Sequence, residues 1–321
     1  MRRRRFLEMS LAGVLGAGRL AEARPGRPAI DAGDALPRRP LGRTGETLSV
    51  IGLGGMALAN ETPEVASRLV REAFENGVNY FDVAPSYGNA EDLLGPALKP
   101  FRKKVFLACK TLARDGQDAS LELSRSLEKL QTDHLDLYQF HALTKTEEVE
   151  KIFGPGGAAE AFLKAKKDGR IRFVGFSAHS TEAALLALDK FPFDTILFPV
   201  NYVSFLGGGF GPAVINKARS KGLGILAIKA LAQTPWQEGE ARAGCPKCWY
   251  RPIFDLAEQS LALRFTLSQP VTAAVPPGDP AIFRSALRLG KEASPLTERE
   301  LGELRERAQK LKPVFGTPSR L

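Results

Sequence analysis

The chain has 321 residues, of which 44% are hydrophobic and 25% are charged, and its formal net charge is +9 at pH 7. This is the composition of a globular protein with room for one large α/β domain or two smaller ones. Lys and Arg are scattered beside Glu and Asp along helical segments, so a basic face for nucleic acid is not expected. Three cysteines are too few for a disulfide framework.

The first 23 residues have the pattern of an export signal. Four arginines at positions 2–5 precede a short apolar run, and the segment ends in the small-x-small tripeptide AEA. The letters RRRFL resemble the twin-arginine motif, whose pathway carries folded proteins across the bacterial inner membrane. We therefore predict a twin-arginine-like signal peptide at residues 1–23, the export machinery as a transport partner, and a periplasmic mature protein. A basic tail on a cytoplasmic protein is the alternative.

The remaining chain shows one repeated pattern of short apolar runs and amphipathic segments. Residues 24–37 are predicted to be a linker, a turn at residues 43–46 predicts an N-terminal β-hairpin, and no window is apolar enough for a membrane span. Buried strands are predicted at residues 50–53, 78–81, 105–108, 135–140, 171–174, 194–200, 224–228 and 271–275. Helices are predicted at residues 64–76, 89–98, 118–130, 158–167, 181–190, 212–221, 253–267 and 280–289, and a capping box starts an additional helix at 297–311.

This alternation predicts the architecture. It indicates parallel strands joined by helical crossovers, and eight such units over about 250 residues favour a (β/α)8 TIM barrel at residues 38–321. A GxGxxG/A match at residues 52–57 is typical of an open dinucleotide-binding sheet, with Asp82 as a candidate ribose-binding acid. Eight units leave no switch point for such a sheet, so we interpret these glycines as a close backbone approach at the barrel mouth.

Polar residues follow three neighbouring strands of the predicted barrel. Asp82 ends the second strand and Tyr87 lies in the loop after it, while Lys110 and His141 end the third and fourth strands. The carboxyl ends of barrel strands share one face, so these side chains are expected to converge.

The residue types suit general acid catalysis. We expect Lys110 to lower the pKa of Tyr87, Asp82 to keep Lys110 charged, and His141 to orient a substrate oxygen. Tyr87 would then protonate a carbonyl oxygen while a cofactor delivers hydride to the carbon.

These residues resemble the aldo-keto reductase family in the segments GLGG, FDVAPSYG, LACKT, QFHAL and IRFVGFSAHS. The resemblance runs from about residue 37 to the C-terminus. It implies a (β/α)8 barrel, carbonyl reduction with NADP, and the four roles given above for Asp82, Tyr87, Lys110 and His141. NAD remains possible, and the substrate would be a small carbonyl compound or a sugar.

The resemblance also implies a cofactor site after the later strands. Ser177 and Asn201 match positions that hold the nicotinamide carboxamide, but Ala178 stands where the family has Asn. Ile228 replaces the tyrosine that stacks on the nicotinamide, and Lys229 either approaches the phosphates or points outward. The predicted cofactor-binding residues are Gly55, Met56, Ser177, Asn201, Ile228, Lys229 and Arg284.

The segment 232–252 is longer than a barrel connection requires, which is typical of a functional loop. It contains the CPKC motif of Cys245 and Cys248. A thioredoxin-like site would occur early in the chain, and zinc would need more ligands than the sequence supplies, so we expect a local disulfide and no metal. Trp249 and Tyr250 are predicted to roof the substrate pocket.

Our main hypothesis is therefore an NADPH-dependent reductase of an aldehyde or ketone, reversible as alcohol oxidation. One alternative is a nucleotide-binding barrel that acts as a redox-sensing or regulatory subunit. Another is a sugar oxidoreductase that retains tightly bound NADP, which would suit a periplasm without free NADPH. The complete catalytic set favours an enzyme.

Overall fold

The computed structural model describes residues 36–240, 242 and 244–316. Its strands, in chain order, are β1 (Arg38–Pro40), β2 (Thr47–Ser49), β3 (Leu53–Gly54), β4 (Tyr80–Asp82), β5 (Phe106–Thr111), β6 (Leu135–Leu143), β7 (Ile171–Ala178), β8 (Thr195–Pro199), β9 (Gly224–Ile228), β10 (Ala232–Pro235), β11 (Tyr250–Pro252) and β12 (Ala273–Val275). Its α-helices are α1 (Pro63–Glu75), α2 (Ala90–Leu98), α3 (Gly116–Lys129), α4 (Thr146–Phe153), α5 (Ala158–Lys167), α6 (Thr181–Lys190), α7 (Pro212–Ser220), α8 (Leu256–Ser268), α9 (Pro280–Lys291) and α10 (Glu298–Lys310).

Eight parallel strands form one sheet, in the order β3 to β9 followed by β12. The two edges meet through an isolated parallel bridge between Ile51 and Ala274. Two backbone hydrogen bonds support this closure, from Gly52 N to Ala274 O at 3.0 Å and from Ala274 N to Val50 O at 2.8 Å. The fold is therefore the (β/α)8 barrel that the alternating pattern predicts.

The two predicted additions to the barrel are also present. β1 and β2 form an antiparallel hairpin, and its Leu41 and Leu48 are fully buried within the apolar cluster of the barrel interior. Leu41 packs so closely that a Cβ added at Gly224 would lie 2.4 Å from its Cδ1. At the other terminus, α10 begins at the capping box of Thr297 and Glu300. The hairpin therefore closes the amino end of the barrel and leaves the carboxyl end for the site.

The glycines of the GLGG segment are explained by packing. A Cβ at Gly52 would lie 2.4 Å from the Tyr80 ring, and a Cβ at Gly54 or Gly55 would lie 2.7 Å from Val275 or Val83. Neighbouring strands therefore approach this backbone closely, as expected for a barrel mouth, and the open-sheet interpretation of residues 52–57 is excluded by the topology.

Two elements differ from the sequence prediction. α4 is an additional helix between β6 and α5. Glu148 caps its N-terminus by accepting hydrogen bonds from Thr144 N at 2.8 Å and Lys145 N at 3.0 Å. Only Val149 and Ile152 are buried in α4, so its apolar periodicity is weak. The segment predicted only as a long loop contains the antiparallel hairpin of β10 and β11.

The predicted signal peptide, and the linker up to residue 35, lie outside the described residues. No helix in the described ranges is long and apolar enough to cross a membrane.

Candidate active site

The period of two along the strands brings the polar residues into the barrel. Tyr80, Ala108 and Leu137 belong to the interior apolar cluster. Side chains two positions apart on a strand face the same way, so each of these strands carries a polar side chain at the next interior position toward its carboxyl end. These polar residues are Asp82, Lys110 and Gln139.

Asp82 and Lys110 form a buried ion pair at the base of the site. Asp82 is 3% exposed and Lys110 is 0% exposed, and Lys110 Nζ donates to Asp82 Oδ1 and to Val83 O, the latter at 3.1 Å. Tyr80 OH and Gln139 Nε2 each donate to Asp82 Oδ2 at 3.0 Å. Burial alone lowers the pKa of Lys110, but Asp82 and Tyr87 outweigh it and the pKa is raised. Lys110 therefore keeps its charge beside Asp82.

Tyr87 lies in the loop after β4, directly before α2. Its backbone N donates to Ala84 O at 3.0 Å, and Lys110 Nζ lies 5.0 Å from its ring centroid. Burial raises the pKa of the phenol, and the opposing effect of the Lys110 ammonium is smaller, so the pKa is raised overall. The expectation of a lowered pKa was wrong because it considered the ammonium without the desolvation. Tyr87 holds its proton at neutral pH, which suits a general acid.

His141 is aimed by a break in the pairing of β6 with β7. The register shifts between Phe140 and Leu143, and Ala142 has a φ of 56°. Ala142 N donates to Ser177 Oγ at 2.7 Å, and the His141 ring meets the Tyr87 ring edge-on with centroids 5.7 Å apart. Burial, with Lys110 as the next cause, lowers the pKa of His141 to about 2. The imidazole is therefore neutral at every physiological pH.

A cavity of about 190 Å³ opens over these residues. The four predicted catalytic residues line it, and so do six of the predicted cofactor or pocket residues. These additional lining residues are Met56, Ser177, Ile228, Lys229, Trp249 and Tyr250.

Three predicted cofactor residues do not line this cavity. Gly55 is buried against Val83. Asn201 is 1% exposed, its Oδ1 accepts from Ser204 N at 2.8 Å, and its Nδ2 has no hydrogen-bond partner among the described residues. Arg284 is an exposed residue of α9 whose guanidinium pairs with Glu72 at 2.8 Å.

The described residues of the segment 232–252, which we call the strap, cross the cavity. Cys245 and Cys248 are joined by a disulfide, as expected, and Cys248 lines the cavity. Lys247 reaches the first barrel loop, where its Nζ donates to Ala57 O at 3.1 Å and to Glu61 Oε1 at 2.7 Å. The strap therefore closes over the site from β9 to the loop before α1.

A family model now adds to this geometry. The model described as the aldo/keto reductase family matches residues 50–247. The chain belongs to the aldo/keto reductase family. The matched range includes the four catalytic candidates and ends at Lys247, one residue before Cys248 of the disulfide.

Relatives of this aldo/keto reductase match its sequence over part of their length. L-galactose dehydrogenase of Arabidopsis thaliana is 30% identical over 210 residues, covering 60% of this chain and 65% of that protein. An aldo-keto reductase of Bacillus subtilis is 33% identical over 177 residues, covering 49% of this chain and 52% of that protein. The chain thus spans between half and two thirds of the length of these curated relatives.

Solved structures share the fold of this aldo/keto reductase. The holo form of an aldo-keto reductase from Bacillus halodurans has a TM-score of 0.67 and 24% identity, covering 88% of this chain and 98% of that chain. The glycerol dehydrogenase of Gluconobacter oxydans has a TM-score of 0.64 and 21% identity, covering the same shares. At such low sequence identities, the similarity shows a shared barrel fold and nothing more specific.

Four polar residues of the site were missed by the sequence analysis. Tyr80 and Gln139 hold Asp82, and the period of two along β4 and β6 could have revealed them. His179 lines the cavity, and burial with the charge of Lys229 lowers its pKa to about 4. Lys247 contacts a loop 186 residues earlier in the chain, a pairing that no local pattern indicates.

Proposed function

We propose that this protein reduces an aldehyde or ketone with NADPH, with Tyr87 as the general acid. The observation that carries the proposal is that a protonated Tyr87, a charged Lys110 and a neutral His141 face one cavity. These groups suit a reaction in which negative charge develops on a carbonyl oxygen.

Each residue has a distinct role in this proposal. Tyr87 OH gives its proton to the carbonyl oxygen, and the Lys110 ammonium favours the phenolate that remains. The neutral imidazole of His141 donates a hydrogen bond that orients the same oxygen. Asp82 keeps Lys110 charged and in place, and Tyr80 and Gln139 hold Asp82.

The later loops offer donors that fit a nicotinamide nucleotide. When bound, such a nucleotide supplies the hydride. Ser177 Oγ lines the cavity and accepts from Ala142 N, so its own hydrogen remains available. Asn201, which the family resemblance also pairs with the carboxamide, is buried and does not line the cavity, so Ser177 is the donor on which the proposal relies. The smaller Ile228 offers apolar contact where the family resemblance leads us to expect an aromatic ring.

A sugar is the second candidate substrate, because the relative from Arabidopsis thaliana is an L-galactose dehydrogenase. The preference for NADP over NAD comes from the family resemblance, since Arg284 is paired with Glu72 and does not line the cavity. Export by the twin-arginine pathway is part of the same proposal, and it predicts that fractionation of the native host yields the mature chain in the periplasm.

The deciding experiment measures NADPH and NADH oxidation by the purified mature chain with a panel of aromatic aldehydes and sugars. Tyr87→Phe should lower kcat by about 10²- to 10⁴-fold, the range for loss of a general acid, while nucleotide affinity stays within twofold. Tyr87→Phe removes a single oxygen, and thermal melting checks that the variant is folded. Undiminished turnover by Tyr87→Phe would refute the acid assignment. Tight nucleotide retention without turnover by the wild type would instead favour the regulatory alternative.

A further inference from the structure

Among the described residues, three lysines line the cavity, and carboxylates neutralise two of them. Lys110 pairs with Asp82, and Lys247 pairs with Glu61 at 2.7 Å. Lys229 has no hydrogen-bond or ion-pair partner among the described residues. Its charge is therefore left uncompensated in a wall that is otherwise balanced, since the two lining histidines have pKa values of about 2 and about 4 and are neutral.

The backbone and the strap both hold Lys229 in this position. Its φ is 66°, a left-handed backbone conformation that is uncommon for residues other than Gly, Asn or Asp. Its Nζ lies 4.7 Å from the Tyr250 ring centroid and 5.3 Å from that of Trp249. Aromatic faces attract a cation without neutralising it. The ammonium is thus positioned and still available to an anion.

Lys229 also lies close to the reacting groups. Its charge contributes to the lowered pKa of both His141 and His179. Burial, with Lys110 as the next cause, lowers the pKa of Lys229 itself to about 8. Tyr250, whose ring face meets Lys229, lines the same cavity as Tyr87 and His141. A ligand that touches Tyr87 and His141 can therefore reach Lys229.

We infer that Lys229, enclosed by Trp249 and Tyr250, binds a carboxylate on the substrate, so that the preferred substrate is a small aldehyde or ketone with one carboxylate. The inference rests on the proposed function. One uncompensated cation matches a monoanion, and a charge-assisted hydrogen bond in this semi-enclosed position is stronger than one in water. The cavity of about 190 Å³ is smaller than the usual range for drug-sized ligands, about 300–1,000 Å³, so the substrate is compact. His179, whose ring nitrogens have no partner among the described residues, is positioned to assist.

The test compares two aldehydes of the same shape, 4-carboxybenzaldehyde and the neutral 4-nitrobenzaldehyde. Lys229→Met removes the charge and keeps an unbranched stem, and Lys229→Arg keeps the charge. Lys229→Met should lower kcat/KM for 4-carboxybenzaldehyde by about 10- to 100-fold, the loss expected for a hydrogen bond to a charged group. The value for 4-nitrobenzaldehyde should change less than threefold, the Kd for NADPH should stay within twofold, and Lys229→Arg should retain most of the preference.

Other results would overturn the inference. An equal loss for both aldehydes, or a raised Kd for NADPH in Lys229→Met, would assign Lys229 to the cofactor diphosphate or to general structure. A direct binding measurement separates this inference from the proposed function. If neither aldehyde is reduced, calorimetric binding of 4-carboxybenzaldehyde that is weakened in Lys229→Met and kept in Lys229→Arg still supports the carboxylate site, whereas equal binding by all three proteins contradicts it.

Discussion

The two walls of the cavity differ in how fully their charged groups are paired. On the wall made by β4 to β6, Asp82 accepts hydrogen bonds from Lys110, Tyr80 and Gln139, and the ion pair is buried. On the wall made by the later loops, Lys229 has no partner among the described residues, and Trp249 is 50% exposed.

This difference separates the part of the site that exists before any ligand binds from the part that a ligand completes. A buried carboxylate that accepts three hydrogen bonds, one of them from its ion-pair partner, is held rigidly and can keep catalytic groups in place. A partly buried cation without a partner destabilises the protein, and a bound anion removes that penalty. Substitutions in the first wall should therefore lower the stability of the protein, whereas substitutions in the second should lower its affinity or selectivity for ligands.

The largest effect is expected from breaking the first wall at Lys110. Lys110→Met leaves the Asp82 carboxylate buried without its ion-pair partner, which should lower the free energy of unfolding by about 3–5 kcal/mol. It should also remove most activity, since Tyr87 loses the adjacent positive charge. Urea unfolding and steady-state kinetics measure the two effects.

Two controls sharpen this prediction. Lys129→Met breaks an exposed pair with Asp92, at 3.0 Å with side chains 42% and 50% exposed, and should change stability by less than about 1 kcal/mol. Adding Asp82→Asn to Lys110→Met removes the stranded charge and should recover part of the stability but none of the activity. Similar stability losses for Lys110→Met and Lys129→Met would mean that the buried pair does not organise this wall.

The first wall is also the part of the site that the sequence predicts best. Asp82, Lys110 and His141 end buried apolar runs, so the barrel pattern alone places them at one mouth. The second wall depends on contacts between distant segments. Lys247 meets Glu61 across the barrel, and a left-handed turn at Lys229 aims the side chain toward Trp249 and Tyr250. Neither contact has a local sequence signal.

Desolvation explains the main error in the chemistry. The sequence places an ammonium beside Tyr87, but it does not give the burial of the phenol, which has the larger effect on its pKa. The helix α4 was missed because only two of its residues are buried, and the hairpin inside the strap was missed because its strands are only four and three residues long.

The pH dependence of reduction tests the protonation states of Tyr87 and of the two histidines that line the cavity. The pKa values of His141 and His179 are about 2 and about 4, so neither group gains a proton between about pH 5 and 7.5, although an ordinary histidine titrates near 6.5. With a neutral aldehyde, kcat/KM should be flat across this range. The reverse oxidation needs the phenolate of Tyr87, whose pKa is raised, so its rate should keep rising with pH. An inflection near pH 6.5 that disappears in His141→Asn would show a protonated imidazole in the reaction.

The smallest effect is expected at the second wall, where Lys247 ties the strap to Glu61. The two side chains are 18% and 27% exposed, and a partly exposed ion pair contributes about 0.5–1 kcal/mol. If the strap closes over bound nucleotide, Glu61→Gln should speed nucleotide release by about two- to fivefold, which is that energy expressed as a rate ratio. Stopped-flow fluorescence measures the release.

Glu240→Gln is the matched control, because Glu240 pairs with Arg251 at 3.2 Å within the strap and does not bridge to the first barrel loop. It should leave nucleotide release unchanged. Equal release rates from both variants would mean that the bridge to Glu61 does not hold the strap closed. Faster release from Glu61→Gln alone, with unfolding stability almost unchanged, would show that the second wall acts through ligand binding, because the bridge contributes little to the folded state in the absence of nucleotide.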